Sequence, residues 1–490
     1  MPVNTERKDF ADMKVKWARL RDCIGGRDAI LKAGVKYVPL LPAKDIVENE
    51  AYRSRGSFYN ATKRTVEGMM GSIFQEAPEV EFPESMRSYL DDITLGNVPF
   101  EMFAQTTGNE VMLIGRFGVL VDMSSVPALD NRPYCIGYLA EDIVNWKTSR
   151  LQGAEVLTML VLKESIEQPV PNDPFVCEVI EQYRELRLVD SKCVVQLWRP
   201  KSTSEKHEFV RYGPAVNLVR RGKPLPFIPF VFICASNATP ALEEPPLIDL
   251  ADVNLGHWRN SVDYEYGLHL VALPTPWVAG ARNSGADSTP LPIGPSKVWE
   301  LDIQGSAGML EFSGEGLGAL VTAMNEKKKQ MATLGARLLE DSAIVPETAS
   351  AVSMRHAGEH ASLRTVAQSV ELGFTLVLQI VAWWQGTEAL PQDTEVDVEL
   401  NKDYLNVKAS PQDIQAALAA LQAEEISYET WWNILVTGGW GREGIDADTE
   451  MEAIDKNRKT REKSKPKPQP QPPIPPRKPG YVEPPPEPGV

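Results

Sequence analysis

"RHAGEHASLRTVAQSVELGFTLVLQIVAWWQ", residues 355–385, supports two readings that lead to different proteins. Its first six letters give His356-x-x-Glu359-His360, a spacing that puts two imidazoles on one helical face with a carboxylate between them, able to hold a zinc ion and a water. Stepping on from His356 by alternating fours and threes gives His360, Leu363, Ala367, Val370, Phe374, Val377, Val381 and Trp384. Every position after the histidines is apolar, the repeat of a helix burying a continuous seam. A metal site would also need a third ligand, and Glu424, Glu425 and Glu429 downstream are common residues that single out nothing. Packing at a helix start is the reading adopted, and no metal, cofactor or catalytic residue is expected.

Two more long helices precede the seam. "PPLIDLADVNLGHWRNSVDYEYGLHLVALPTPW" (245–277) starts after two prolines and carries Leu247, Ala251, Leu255, Trp258 and Val262 on one stripe. "EGLGALVTAMNEKKKQMATLGARLLE" (315–340) spans ~40 Å at ~1.5 Å per residue. Its stripe runs Leu317, Val321, Met324, then Lys328, then Met331 and Leu338, so a lysine interrupts the apolar line. Lys327 and Lys329 point about 100° to either side. These lysines read either as solvated surface charge or as groups facing a DNA duplex, whose phosphates need charge but no fixed geometry.

Before these helices, residues 6 to about 120 read as helices with short breaks. "FEMFAQTTGNEVMLIGRFGVLVD" (100–122) is expected to pass through a Gly115–Gly118 turn into a strand. From about 155 to 235, "EVLTMLVLKESIE", "FVCEVIEQYRELRL", "KCVVQLWRP", "HEFVRYG" and "LPFIPFVFICAS" read as strands of an antiparallel sheet. Residues 272–313 are irregular, with a strand-like "KVWELDI". Beyond the seam, "TEVDVELNKDYL" alternates like a strand, and 410–460 reads as helices with Pro411 at a first helical position. The class is α+β. The tail after 463, with 12 of the 39 prolines, is extended or disordered, and Pro472-x-x-Pro475-x-Arg477 within it reads as part of a solvated arm.

With 490 residues the chain can form two to four compact units, and a formal charge of −16 argues against gripping nucleic acid over the whole surface. Five cysteines, scattered singly, read as free thiols of a reducing cytosol. The greasiest run, "LGFTLVLQIVAWW", is read as too short for a bilayer, so no membrane is expected. "GWGREG" (439–444) matches G-x-G-x-x-G but follows a Trp-rich helix, which fits a helix-ending glycine cluster better than a nucleotide loop. "DADTE" (446–450) lacks the remainder of a calcium loop and reads as the acidic opening of a helix.

Taken in order, "GGRDAILKAGVKYVPLLP", "YRSRGSFYNATKRTVEGMMGSIFQEAPEV", "GRFGVLVD", "YRELRL", the 245–280 helix segment and "ETASAVSMRHAGEHASLRTVAQSVELGF" resemble a tailed-bacteriophage portal protein of a podophage/siphophage subfamily. The resemblance covers roughly residues 15–460. It implies a wing at 1–245 (helical to 150, β-rich from 151), stem helices at 246–271 and 314–340, and a clip at 272–313. A tunnel loop would follow at 341–354, a long wing helix and strand at 355–409, and a crown at 410–462. It also implies a virion protein, made in the host cytoplasm, that forms a ring of about twelve copies around double-stranded DNA. Large terminase, a head–tail adaptor, and the major capsid and scaffolding proteins would be its partners. Lys327, Lys328, Lys329 and Arg337 are the candidates for facing that DNA. The competing expectation is a zinc-dependent hydrolase using His356, Glu359 and His360. On the portal reading, the stripes of the long helices find their partners in neighbouring copies.

Overall fold

Polar caps and prolines divide the first third of the chain into short helices. The computed structural model describes residues 2–42, 44–123, 132–151, 153–170, 173–201, 208–273, 275–281, 298–299, 301–311, 314–335, 349–402, 411–423, 425–438, 440–441 and 445–463. Helix α1 (Lys8–Ala33) is followed by α2 (Ile46–Arg55). There the Asp45 carboxylate accepts from the Glu48 amide at 2.7 Å, and Glu48 accepts from the Asp45 amide in return. Helix α3 (Ala61–Ile73) opens on Asn60, which accepts from the Lys63 amide at 3.1 Å. Then come strand β1 (Glu79–Glu81), the one-turn α4 (Ser88–Asp91) and α5 (Phe100–Ile114). The turn expected over Gly115–Gly118 is Gly115 alone, left-handed at φ 84°. Gly118 already lies within β2 (Arg116–Met123), where any side chain would run into Phe230 and Ile143.

After β3 (Pro133–Leu139), strands β4 (Ile143–Leu151), β5 (Ala154–Val170), β6 (Asp173–Val189), β7 (Lys192–Pro200) and β8 (Phe209–Asn217) form an antiparallel meander in that order. A small ladder of β9 (Val219–Arg220) and β10 (Lys223–Pro224) follows. The last apolar strand, β11 (Phe230–Cys234), does not extend the meander as expected. It pairs with β2, Phe230 opposite Leu120 and Cys234 opposite Arg116, giving a second sheet of order β11-β2-β3. Every residue of β11 is buried, so it needs cover on both faces. Past Phe209 the outer meander strand β8 is exposed and offers none.

The long elements complete this unit: α6 (Ile248–Ala272), β12 (Thr275–Ala281), β13 (Leu301–Leu310), α7 (Glu315–Leu334), α8 (Ala349–Gln385) and β14 (Asp397–Glu399), the last paired with β1. Within the expected clip, β12 and β13 form an antiparallel ladder. Helix α8 starts at Ala349, so 349–354 is helical rather than loop. Two of the stripes expected to seek neighbouring copies are buried at home. Leu247, Ala251, Leu255, Trp258 and Val262 of the first pack under the N-terminal helices, with the Phe58 and Trp258 rings edge to face at 6.0 Å. From Leu363 to Trp384 the whole seam of α8 is buried too.

What receives α8 is the β11-β2-β3 sheet and α5. A side chain on Gly373 would lie 2.6 Å from Ile233, so the glycine lets helix and strand approach. Next to it, Phe374 stacks edge to face on Phe100 at 5.1 Å and on Phe103 at 6.0 Å. The Ser369 hydroxyl donates to the Cys234 carbonyl at 2.7 Å. At the C-terminal end Arg220 donates to the Gly386 and Glu388 carbonyls and stacks on Trp383 at 4.2 Å. The expectation that the greasiest run is too short for a membrane is revised: Leu363–Gln385, 23 residues, is long and apolar enough. Its burial against protein makes it a core helix. Four of the cysteines are buried free thiols and Cys177 is exposed.

Leu405–Val490 is a separate unit from Met1–Tyr404. It holds α9 (Pro411–Gln422), α10 (Tyr428–Thr437) and α11 (Ala447–Lys463). Ser427 caps α10, and Trp432 donates its indole N–H to the Ile445 carbonyl at 2.8 Å. Asp446 accepts from the Thr449 amide at 2.7 Å, so the "DADTE" acid opens a helix as expected. Ser410, Glu424, Gly439, 442–444 and the proline tail lie outside the described residues.

Phe374→Ala is expected to cost about 3–5 kcal/mol by emptying the α5–α8 junction. Leu372→Ala, on the exposed side of the same helix, should cost within about 0.5 kcal/mol. Denaturant midpoints of the two variants check this.

Candidate functional site on the paired helices

Helices α6 and α7 lie antiparallel, and glycines of α6 set how closely they meet. A side chain on Gly267 would sit 2.7 Å from Leu317 Cδ2, and one on Gly256 would sit 3.1 Å from Lys327 Cε. Near the buried end of the pair, where Met331 is fully enclosed, the lysine run of α7 comes down beside α6.

The three lysines have different environments. Lys327 is half-buried, its stem laid along Gly256. Lys328 is exposed, with its ammonium 5.6 Å from the centre of the Tyr59 ring, a cation–π arrangement. Lys329 pairs with Glu326 of its own helix at 3.2 Å in full solvent, a contact of small energetic weight. Arg337, the fourth candidate, lies outside the described residues, as do 336–348 generally. The backbone of His356, Glu359 and His360 is helical, but their side chains fall outside the description. Among the described residues no group of His, Cys, Asp or Glu is placed to hold a metal.

Around Lys327 and Lys328 the structure gathers residues that the sequence reading passed over. Asn254, His257 and Ser261 form a second, polar stripe on α6, and all three are buried. Asn254 accepts from the Thr62 amide and hydroxyl and donates to the Tyr59 carbonyl at 2.7 Å. Ser261 accepts from the Ser57 amide at 2.9 Å. His257 is different: only 5 % exposed, it has neither ring nitrogen hydrogen-bonded among the described residues. Its ring lies 5.9 Å from that of Tyr59, and Arg64 lies 5.5 Å from the same tyrosine. Burial, then the nearby Lys328 and Lys327 charges, push the imidazole down to about 4, so it is neutral at physiological pH. The signal for this stripe was present as polar residues at i, i+3 and i+7. Attention to the apolar stripe alone hid it.

Residues 246–385, from the start of α6 to the end of α8, match a family described as a domain of unknown function, DUF4055. No curated protein matches the chain. Among solved structures, one described as "Neck of native GTA particle computed with C12 symmetry" is similar at 11% identity and a TM-score of 0.37, covering 82% of this chain and 97% of that one.

The neutral imidazole makes stability pH-dependent. Its folded value is depressed below that of the unfolded chain (about 6.5), so its contribution is complete above that value and is lost as pH falls toward 4. Unfolding midpoints between pH 7 and 4 should therefore decline less steeply in His257→Gln than in the native protein.

Proposed function

We propose that the chain is a phage portal protein: a ring of about twelve copies at one capsid vertex that conducts double-stranded DNA and docks terminase and the tail adaptor. The observation that carries this reading is the unequal burial of the paired helices. The near half of α6 is covered by its own chain, whereas Leu268 and Val271 of its far half, with Val321 of α7, are exposed. The β12–β13 ladder joining them presents Trp277, Met309 and Leu310 to solvent, and Ile303 is 97 % exposed. A row of apolar side chains on a narrow two-helix, two-strand projection needs a covering surface. Identical copies set side by side around an axis supply it, because a closed ring leaves no apolar edge open.

Charge supports the same reading. A net −16 makes a poor general nucleic-acid binder but a suitable wall for a polyanion that has to slide. In this scheme Lys327, Lys328 and Lys329 supply weak, exchangeable phosphate contacts at one level. The reading is of a structural, non-enzymatic virion protein, and it agrees with the co-linear resemblance across residues 15–460.

Two measurements test it. Negative-stain images of the purified protein should show annular particles with a central hole, and Ile303→Asp with Leu310→Asp should shift sedimentation to smaller species. A chain that stays monomeric at high concentration overturns the ring. The Lys327→Ala, Lys328→Ala, Lys329→Ala triple variant should assemble normally yet package or retain DNA poorly; unchanged packaging removes the lysines from the scheme.

A further inference from the structure

The corner where α3, α6 and α7 meet holds positively charged side chains with no counter-ion among the described residues. None of the ion pairs among the described residues involves Arg64, Arg259, Lys327 or Lys328, in a chain whose acids outnumber its bases by 67 to 51. The nearest ion pairs use other groups: Arg19 with Asp252, Lys63 with Glu67, and Lys329 with Glu326. Uncompensated cations held this close repel one another, and the folded chain carries that cost. Burial first, and then the charges of Lys328 and Lys327, keep His257 in its neutral form.

Burial of His257 is the second, independent sign. An imidazole with both nitrogens shut off from solvent and unbonded leaves hydrogen-bonding capacity unmet, and such groups in native proteins call for a partner. Its neighbours on the same stripe, Asn254 and Ser261, are fully engaged by backbone groups, so the gap is local to His257. The charged groups acting on it are the ammonium groups of Lys328 and Lys327; Arg64 shares the Tyr59 contact at 5.5 Å, and Arg259, whose Nη2 lies 3.7 Å from the point a Gly256 side chain would occupy, lies beside the Lys327 stem. Among the described residues no carboxylate pairs with any of these four cations. A neutral imidazole can donate one N–H, and with the lysines beside it that set suits a compact anion with several acceptor oxygens.

We propose that Lys327, Lys328 and His257, rimmed by Arg64 and Arg259, form a binding site for a phosphate oxyanion. All of these groups come from one chain, so the site does not depend on ring closure. The exposed Lys328 stem can swing to admit the ligand without backbone movement. The bound oxyanion neutralises the excess charge and accepts from the imidazole N–H, and Lys327 and Lys328 pair with it. Two sources share this chemistry: free inorganic phosphate and the phosphodiester of a nucleic-acid backbone.

Equilibrium dialysis of the full chain against radiolabelled inorganic phosphate, at fixed ionic strength in chloride, tests the site. Saturable uptake of about one phosphate per chain is expected, weakened about tenfold or more in Lys327→Gln/Lys328→Gln and in His257→Gln. Lys63→Gln, on the neighbouring helix, should bind as the native protein does. Thermal melting of each variant separates loss of binding from loss of folding, and the lysine pair, of which Lys328 is exposed and Lys327 half-buried, keeps the test valid should His257→Gln fold poorly. A short DNA duplex that displaces the phosphate assigns the site to backbone phosphodiesters; a duplex that leaves it bound assigns it to the free anion. Absence of saturable binding of either, or phosphate binding unchanged in the lysine double variant, overturns the proposal.

Discussion

The close approach of α8 to β11 organises the larger unit. At Gly373 the helix comes near enough to Ile233 that a single methyl group would not fit. That proximity seals the β11-β2-β3 sheet on one face and places Phe374 between Phe100 and Phe103. Dispersion falls steeply with distance, so a contact this close recovers packing that a slightly wider gap would forfeit. Polar groups then fix the helix along its axis. Ser369 holds it to the end of β11, Glu371 accepts from the Leu400 amide, and Arg220 closes its C-terminal carbonyls.

Buried charge in this unit is handled in three ways, which differ in what they leave open. Arg184 is satisfied outright, donating to Asp122 and Glu164 at 2.7 Å each, while Glu164 also accepts from Tyr138 and Gln182. Arg116, 2 % exposed, has no hydrogen-bond partner among the described residues; it lies between the Trp146 and Phe232 rings at 4.1 and 4.3 Å. Burial lowers it to about 10, which leaves it charged at neutral pH and held by the ring quadrupoles. His257 has neither ion partner nor ring sandwich and escapes the cost by giving up its proton. The third arrangement has Lys327 and Lys328 beside an unbonded imidazole, which is why it stands out as a binding corner.

Much of the architecture was legible from periodicity. The stripes of α6 and α8 read from residue identity are the ones the structure buries, because a helix face repeats every few residues whatever it packs on. Strand β11 was legible as a strand but not as a member of the second sheet, since its partner β2 lies more than a hundred positions upstream. The lysine run was legible as an interrupted stripe. Its setting was not, because Tyr59, itself touched by Arg64, reaches Lys328 and His257 only through the docking of the chain around α3 onto α6. The Glu326 that engages Lys329 lies three residues away and could have been read as an i, i+3 pair.

Local order along the chain determined which segments are helix or strand, and that a packing stripe runs from Leu363 to Trp384. Capping acids, helix-ending glycines and alternating apolar residues act over a few neighbours, so sequence alone states them. Which surface receives each stripe was decided only in the folded molecule. An apolar face carries no address, and α8 could have met a neighbouring copy or its own sheet with the same residues. Shape settled that choice, through the missing side chain at Gly373 and the fully buried β11. Shape also left Leu268, Val271 and Val321 on the outer half of the α6–α7 projection exposed among the described residues.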